Sequence, residues 1–229
     1  MSNTLNSKIA MIATLAVLLL FGFIAETLAQ ETDINEILRE TQKMSQSADD
    51  VTMVWWIPGE FWRLSLSADP STTEAQIEEF INIVSPYTIV VVVDGKMGPL
   101  GGVTYTPEAD IRTSVKLKDS QGVVYKSLEE GSVGADIKNL LSMMKPIFVN
   151  MLGPMGENMH FLLFPAKNKA GMQIANASQE GTFSISLGKR EFKWRLPLGS
   201  LLSPKTCPKC GEKLSGAYKF CPYDGTRLP

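Results

Sequence analysis

The residues best suited to chemistry lie near the C-terminus, where all three cysteines of the chain are found. Two similar segments, Cys-Pro-Lys-Cys-Gly and Cys-Pro-Tyr-Asp-Gly, begin at Cys207 and Cys221. Each segment can form a tight knuckle in which two side chains point at one cation. The proline stiffens that turn, and the glycine permits the left-handed backbone that closes it. Thiolates and carboxylates both bind zinc, and the predicted ligands are Cys207, Cys210, Cys221 and Asp224.

This spacing resembles a zinc ribbon from Lys205 to Leu228, which is about a tenth of the chain. The resemblance implies a structural site with four protein ligands and no open position for catalysis. Asp224 departs from the family pattern, because it stands where a fourth cysteine is expected. One softer donor is lost there, so the resemblance implies a somewhat weaker zinc affinity. A bound metal would keep folded a segment that is too short to bury a core by itself.

Three other interpretations of the cysteines remain open, namely a disulfide between Cys207 and Cys210, a redox pair and unused thiols. A redox motif is typical of a βαβ unit, which the surrounding sequence does not indicate. A simple disulfide leaves Cys221 without a partner. Thiols outside the cytoplasm oxidise unless a metal occupies them first. The zinc ribbon is therefore the favoured interpretation.

The first 29 residues are interpreted as a signal peptide or a membrane anchor. Lys8 precedes an uncharged apolar run, Ile9–Ala25, and the small residues Thr27 and Ala29 suit a signal peptidase, which would make Gln30 the first mature residue. An uncleaved anchor is the alternative, since 17 apolar residues are near the lower limit of about 17 for a bilayer-spanning helix. Both versions predict an extracytoplasmic, periplasmic or secreted location.

Composition and motifs exclude several classes of protein. The chain has 229 residues, 44% hydrophobic and 20% charged, with a net charge of -2. This balance is not that of a disordered acidic tail, a polybasic nucleic-acid binder or a multi-span membrane protein. Neither a nucleophile elbow nor a phosphate-binding loop occurs. The motifs therefore give no support to an enzyme, although carboxylates converging in space could still form a hydrolase site.

Four regions are predicted along the chain. Residues 1–29 form the leader, 30–50 an amphipathic helix and linker, 51–202 a β-rich main domain and 203–229 the ribbon. The apolar positions of Asp33–Met44 have near-helical spacing, and mixed charges on the other face favour packing on the protein's own domain. The predicted fold class is α+β, with a mostly antiparallel sheet or sandwich, two or three helices and the small ribbon.

Helices are indicated at two places in the main domain. Ser71-Thr72-Thr73-Glu74 is interpreted as a capping box, followed by apolar residues at helical spacing until Ser85. A longer helix is predicted over Ala135–Leu152, kinked by Pro146 and ended by Gly153. The segment Pro58–Ser67 is ambiguous between strand and helix, because both patterns fit it.

Strands are indicated by alternating or continuous apolar residues. Thr88–Val93 is apolar on both faces, as a central covered strand would be. After a turn that follows Ile111–Lys118, another strand is predicted to start at Val123. The remaining predicted strands are Val51–Trp56, Ile111–Lys118, Met159–Phe164 and the hairpin Thr182–Leu196.

Charge is distributed unevenly along the chain. Residues 188–229 carry nine basic and three acidic side chains, a net +6, whereas residues 30–187 carry a net -8. The basic end could dock on an acidic protein partner, on anionic lipid or on the protein's own body. Export argues against nucleic acid as the partner. The leading hypothesis is an exported or anchored non-enzymatic protein whose zinc ribbon serves as a protein-interaction module.

A second hypothesis is Cu(I) handling outside the cytoplasm. Met151, Met155 and Met159 are spaced four apart, and His160, the only histidine, follows the last of them. Thioethers and imidazole suit Cu(I). The glycines and the proline between these methionines interrupt the helix that would align them, and methionine is a common core residue. Core packing is therefore the simpler interpretation.

Overall fold

The computed structural model describes residues 34–45, 47 and 49–229, which form an α+β fold. The predicted signal peptide or anchor, with its apolar run Ile9–Ala25, lies outside these residues. Within the described part of the chain, no helix has both the length and the apolar character needed to cross a bilayer.

Helices and strands alternate irregularly along the described chain. The helices are α1 (Ile34–Thr41), α2 (Gly59–Ser67), α3 (Glu74–Val84), α4 (Glu108–Ser114), α5 (Ala135–Leu152) and α6 (Pro154–Glu157). The strands are β1 (Gln42–Met44), β2 (Met53–Ile57), β3 (Tyr87–Val93), β4 (Gly95–Met97), β5 (Val103–Tyr105), β6 (Val115–Lys118), β7 (Val124–Lys126), β8 (His160–Pro165), β9 (Gly181–Leu187), β10 (Arg190–Leu196), β11 (Lys205–Thr206) and β12 (Lys213–Leu214). Six α-helices in this region exceed the two or three that were predicted.

One four-stranded antiparallel sheet has the order β1-β2-β3-β8. Its inner strand β3 is buried from Thr88 to Val93, which confirms the prediction of a strand covered on both faces. The pairing of β3 with β8 brings His160 opposite Val92. Residues far apart in the sequence are thereby placed side by side in this sheet.

The second four-stranded antiparallel sheet has the order β10-β9-β6-β7. The predicted hairpin is confirmed as β9 and β10, with Phe183 and Trp194 buried and Lys193 exposed. The rings of Trp56 in β2 and Phe183 lie 4.7 Å apart, so the two sheets share one hydrophobic core. The tryptophans and Phe61 near β2 also belong to this core.

The structure settles the ambiguous segment 58–67 and corrects the predicted cap of α3. The segment left open at 58–67 is helix α2, because one helical face, which includes Phe61 and Leu66, is buried. The capping box of α3 was assigned to the wrong residues. Thr73 caps the helix reciprocally with Gln76, whereas Ser71 bonds to Asp69 and lies before the helix.

The strand predicted over Ile111–Lys118 is wrong in its first half. Residues 108–114 form helix α4, and only Val115–Lys118 is a strand. Pro107 precedes the helix, and Glu108 pairs with Arg112 one turn later. Ile111 is the only residue of α4 that is buried, so an apparent alternation of residue types over four positions could not distinguish the two structures.

Helix α1 packs on the main core. Ile37 is fully buried, and Thr41 is contacted by two indoles. The Trp55 Nε1–H donates to Thr41 Oγ1 at 3.2 Å, and the Trp194 Nε1–H donates to the Thr41 carbonyl at 3.1 Å. These contacts agree with the expectation that this amphipathic segment packs on its own domain.

Candidate metal centre

The two C-terminal knuckles have the same backbone geometry. In the first, the Gly211 N–H donates to the Cys207 carbonyl at 2.9 Å; in the second, the Gly225 N–H donates to the Cys221 carbonyl at 2.9 Å. The φ angles of these two glycines are +76° and +72°. Only glycine adopts this region at little cost, so each glycine allows its knuckle to close.

Each knuckle lies at the end of a short β-hairpin. Strands β11 and β12 pair in the first hairpin, and Phe220 pairs with Arg227 in the second. The Cys207 N–H donates to the Glu212 carbonyl at 2.9 Å, and the Cys221 N–H donates to the Thr226 carbonyl at 2.7 Å. Two equivalent turns therefore present their side chains to one another.

A small core separate from the main one lies between the hairpins, formed by Cys207, Leu214, Cys221 and Leu228. The two leucines were not singled out by the sequence analysis. Each follows its knuckle's first cysteine by seven residues, so the repeat extends over the eight-residue segments CPKCGEKL and CPYDGTRL. Comparison of these complete segments would have identified both leucines.

The four predicted ligands converge at this point. One donor atom from each of Cys207, Cys210, Cys221 and Asp224 lies within 4.8 Å of every other. The Cys210 and Cys221 sulfurs are 3.7 Å apart, and Cys207 Sγ lies 3.5 Å from Asp224 Oδ2. All three cysteines are free rather than disulfide-bonded. These groups are close enough to hold a metal ion.

Backbone N–H groups favour the anionic form of two donors. The N–H groups of Cys210 and Lys209 point at the Cys207 sulfur and lower the pKa of that thiol. The Thr226 N–H, which donates to Asp224 Oδ1 at 2.8 Å, lowers the pKa of the Asp224 carboxyl. Metals bind thiolate and carboxylate, so this backbone arrangement prepares both groups for coordination.

Crowding of the donors acts in the opposite direction on Cys210. The Glu212 N–H favours its thiolate, but burial and the neighbouring donors outweigh that bond and raise the pKa of the Cys210 thiol to about 12. Several anionic groups so close together repel one another. A divalent cation placed among them would remove this repulsion, which is the electrostatic condition of a metal site.

The surface of the ribbon segment carries exposed aromatic and basic side chains. Tyr218, Phe220 and Tyr223 are 48%, 59% and 75% exposed. Lysines interleave with them, and Lys209 and Lys219 are exposed. The aromatic rings therefore lie outside the small core between the hairpins.

The ribbon segment contacts the main domain at a short 3₁₀ turn, Gly199–Leu201. Glu40 of α1 accepts the N–H groups of Gly199 and Ser200 at 2.8 and 2.9 Å. Gly199 also lies against Ser215 and Ala217 of the ribbon, where a side chain would come within 3 Å of both. One turn therefore contacts both α1 and the ribbon.

The methionines and the histidine of the copper hypothesis lie at different depths. Met151 is 37% exposed, whereas Met159 is buried. Met159 and His160 line one cleft, and Met151 and Met155 are not among its lining residues. The His160 ring faces Glu108, with His160 Nδ1 3.3 Å from Glu108 Oε2. Met159 packs in the hydrophobic core, as the simpler interpretation expected.

Comparison of the chain with protein-family models, with curated proteins and with solved structures finds no match.

Proposed function

We propose that residues 203–229 form a structural zinc ribbon, which serves as a docking module for an acidic protein surface. The proposal includes the role predicted from the sequence, that of a non-enzymatic protein exported or anchored by its N-terminal leader. The convergence of four donors from two equivalent knuckles carries the proposal. The repeated motif supplies the four donors, and the fold of the two hairpins brings them together.

Two of the donor–donor distances agree with tetrahedral zinc. Zn–S bonds of about 2.3 Å at the tetrahedral angle separate two sulfurs by about 3.8 Å. A Zn–O bond of about 2.0 Å separates a sulfur from an oxygen by about 3.5 Å. The corresponding distances, 3.7 Å between Cys210 and Cys221 and 3.5 Å between Cys207 and Asp224, fit these two edges. Three thiolates also favour zinc over magnesium or calcium, which prefer oxygen ligands.

Zinc in this position would be structural. Four protein groups complete the tetrahedron, so no position remains for substrate or water. The ion would cross-link two hairpins whose own core contains only four buried residues. Binding energy then becomes folding energy for the segment.

Metal analysis of the purified full chain tests this assignment. We expect one zinc per chain and, after replacement by cobalt, the absorption of a tetrahedral thiolate complex. Cys207→Ser should abolish stoichiometric binding, because it removes a buried donor. Glu212→Gln is the matched control, since it removes a nearby carboxylate that is not part of the cluster. Stoichiometric zinc retained in Cys207→Ser, or no zinc in wild type, would contradict the proposal.

The docking role rests on the ribbon's surface. Its exposed aromatic rings can pack on a partner, and its lysines can pair with acidic side chains. Residues 203–229 carry five basic and two acidic side chains. An anionic membrane surface is the alternative binding surface for the same charges. We favour an acidic protein surface because exposed aromatic side chains such as Tyr218, Phe220 and Tyr223 are enriched in protein–protein interfaces.

Cross-linking in fractionated cells tests docking and location together. The full chain should yield a specific adduct in the envelope or secreted fraction, with a mature N-terminus at Gln30 or an intact anchor. Deletion of 203–229, or combined replacement of Tyr218, Phe220 and Tyr223 by alanine, should remove the adduct. The alanine variant must retain its zinc, so that loss of docking is distinguished from loss of folding. Intact polypeptide that begins at Met1 and is free in the cytosol would contradict export.

A further inference from the structure

A cleft of about 820 Å³ lies on the main domain, bordered by α4, α5, β8 and residues 126–133. Its volume is within the range of small-molecule sites. Apolar side chains form one part of its wall, and Leu128, Leu141 and Leu163 are among them. The Leu128 N–H donates to the Leu163 carbonyl at 2.6 Å, so this part of the wall is held together by the backbone.

Charged groups lie on another part of the wall. Arg112 donates from Nε to Glu108 Oε1 at 2.8 Å and reaches the Phe161 carbonyl at 3.3 Å. Lys145 donates to the carbonyls of Glu157 and Met159 at 2.6 and 2.5 Å. The cleft as a whole is lined by four basic and three acidic side chains, a net charge of +1: Arg112, Lys126, Lys138 and Lys145 against Glu108, Glu129 and Glu130.

His160 lies among these charges with one ring nitrogen unpaired. Its side chain is 10% exposed, and Nδ1 faces Glu108. Nε2 is buried, and no group of the described residues is within hydrogen-bond distance of it. A buried ring nitrogen without a partner costs free energy, and the residue that carries it, His160, lines the cleft.

The protonation state of His160 follows from its neighbours. Burial is the main effect that lowers the pKa of the imidazole, and Lys145 and Arg112 lower it further, while Glu108 opposes them. The ring is therefore mostly neutral near pH 7. In the neutral ring, Nδ1 carries the proton that faces Glu108, and Nε2 is unprotonated.

We propose that this cleft binds an amphipathic monocarboxylate, such as a medium-chain fatty acid. The alkyl chain packs on the leucine wall, and the carboxylate lies at the positive region formed by Arg112 and Lys145. On binding, the negative charge of the carboxylate beside the ring favours the uptake of one proton from the buffer by the His160 imidazole. The bound anion compensates the positive charge that otherwise disfavours this proton.

Nuclear magnetic resonance of the full, zinc-loaded chain tests the proposal with decanoate as the probe. His160 is the only histidine, so one labelled imidazole reports on the site without ambiguity. We expect a saturable shift at one decanoate per chain and a rise in the titration midpoint of His160. Decan-1-ol is the control, because it has the same chain without charge and should not raise the midpoint. An unchanged imidazole at millimolar decanoate, or equal effects of the alcohol, would overturn the proposal.

Two matched variants of α5 locate the binding position. Ser142 is exposed and lines the cleft, whereas Asn139 is exposed on the same helix and does not line it. Ser142→Phe should abolish decanoate binding, and Asn139→Phe should leave it unchanged. His160→Phe should weaken binding about tenfold, since it removes the positive charge that the imidazole acquires beside the carboxylate. Unaltered binding in Ser142→Phe, or equal losses in both helix variants, would contradict the proposed location.

Discussion

Asp224 occupies the position in the second knuckle that Cys210 occupies in the first. Its carboxylate accepts the Thr226 N–H at 2.8 Å, which orients one oxygen, while the other lies 3.5 Å from the Cys207 sulfur. A carboxylate is a harder and weaker zinc donor than a thiolate. Asp224, the one carboxylate among the four candidate donors, should therefore control the strength of metal binding.

We predict that Asp224→Cys raises zinc affinity and that Asp224→Asn lowers it, each by about tenfold or more, because ligand identity sets affinity in a thiolate site. Competition with a chromophoric chelator measures both changes. Tyr223→Phe is the control, since this neighbouring side chain is 75% exposed and is not a donor. Equal affinities in wild type and Asp224→Asn would show that Asp224 is not the fourth ligand.

The environment of Asp94 affects the pKa of its carboxyl group and, through it, the stability of the fold. Its buried carboxylate accepts hydrogen bonds from Thr52 at 2.7 Å, Thr106 at 2.8 Å and Arg190 at 2.8 Å. Burial alone would raise the pKa of this carboxyl, but these three donors together outweigh burial and lower it. The charged form of Asp94 therefore stabilises the folded state.

This arrangement predicts a loss of stability in acid. The pKa of Asp94 is lower in the folded chain than its ordinary value of about 3.9, so its contribution is present above pH 4 and disappears as the pH falls further. Asp94→Asn should lower the free energy of unfolding by about 2 kcal/mol at pH 7 and reduce its decline below pH 4. Urea unfolding across pH measures both. Asp110→Asn, an exposed control, should change neither, and an identical acid decline in Asp94→Asn and wild type would refute the assignment.

At the scale of elements, the sequence predicted the helices and strands in which a periodic apolar pattern extends over many residues. The helix Ala135–Leu152 and the hairpin of β9 and β10 were predicted within one or two residues, because many apolar positions agree on one period. Helix α4 was missed because it has seven residues and one buried side chain. Arg112 of this helix donates to the carbonyl of Phe161, which is distant in the sequence. A local sequence pattern cannot indicate such a long-range contact.

The cap of α3 gives a prediction at this scale. Thr73→Ala should destabilise the protein by about 1 kcal/mol, because it removes the side chain that accepts the Gln76 N–H. Ser71→Ala should cost less, since Ser71 bonds only within the preceding turn. Thermal unfolding of both variants distinguishes them. A larger loss in Ser71→Ala would favour the cap originally assigned from the sequence.

At the scale of the whole molecule, the metal site and the cleft differ in how far the sequence predicts them. The four candidate ligands lie within 18 residues, so their spacing alone indicated the site that the fold brings together. The cleft combines side chains from α4, α5 and β8. Its composition depends on long-range packing, and sequence periodicity cannot reveal which polar residues meet.

The division into two cores predicts how the molecule responds to loss of metal. All four tryptophans are buried in the main core, whereas the ribbon has its own small cluster. A strong chelator should therefore expose the backbone of residues 205–228 to hydrogen exchange and leave tryptophan emission unchanged. Mass spectrometry and fluorescence on one sample measure this. A red shift of the emission on chelation would contradict independent cores.

Gly199 packs closely between Glu40 and the ribbon, so an added side chain would force its neighbours to shift. A methyl group there would lie 2.7 Å from Ser215 Oγ and 2.9 Å from Glu40 Oε1. Gly199→Ala should therefore weaken the packing of the ribbon on the main domain. The four candidate metal ligands should stay together. Limited proteolysis should then cut near residues 202–204, with zinc content unchanged, whereas Gly131→Ala, in open space, should remain resistant. The lack of a side chain at Gly199 thus allows the C-terminal segment to pack closely against the main domain.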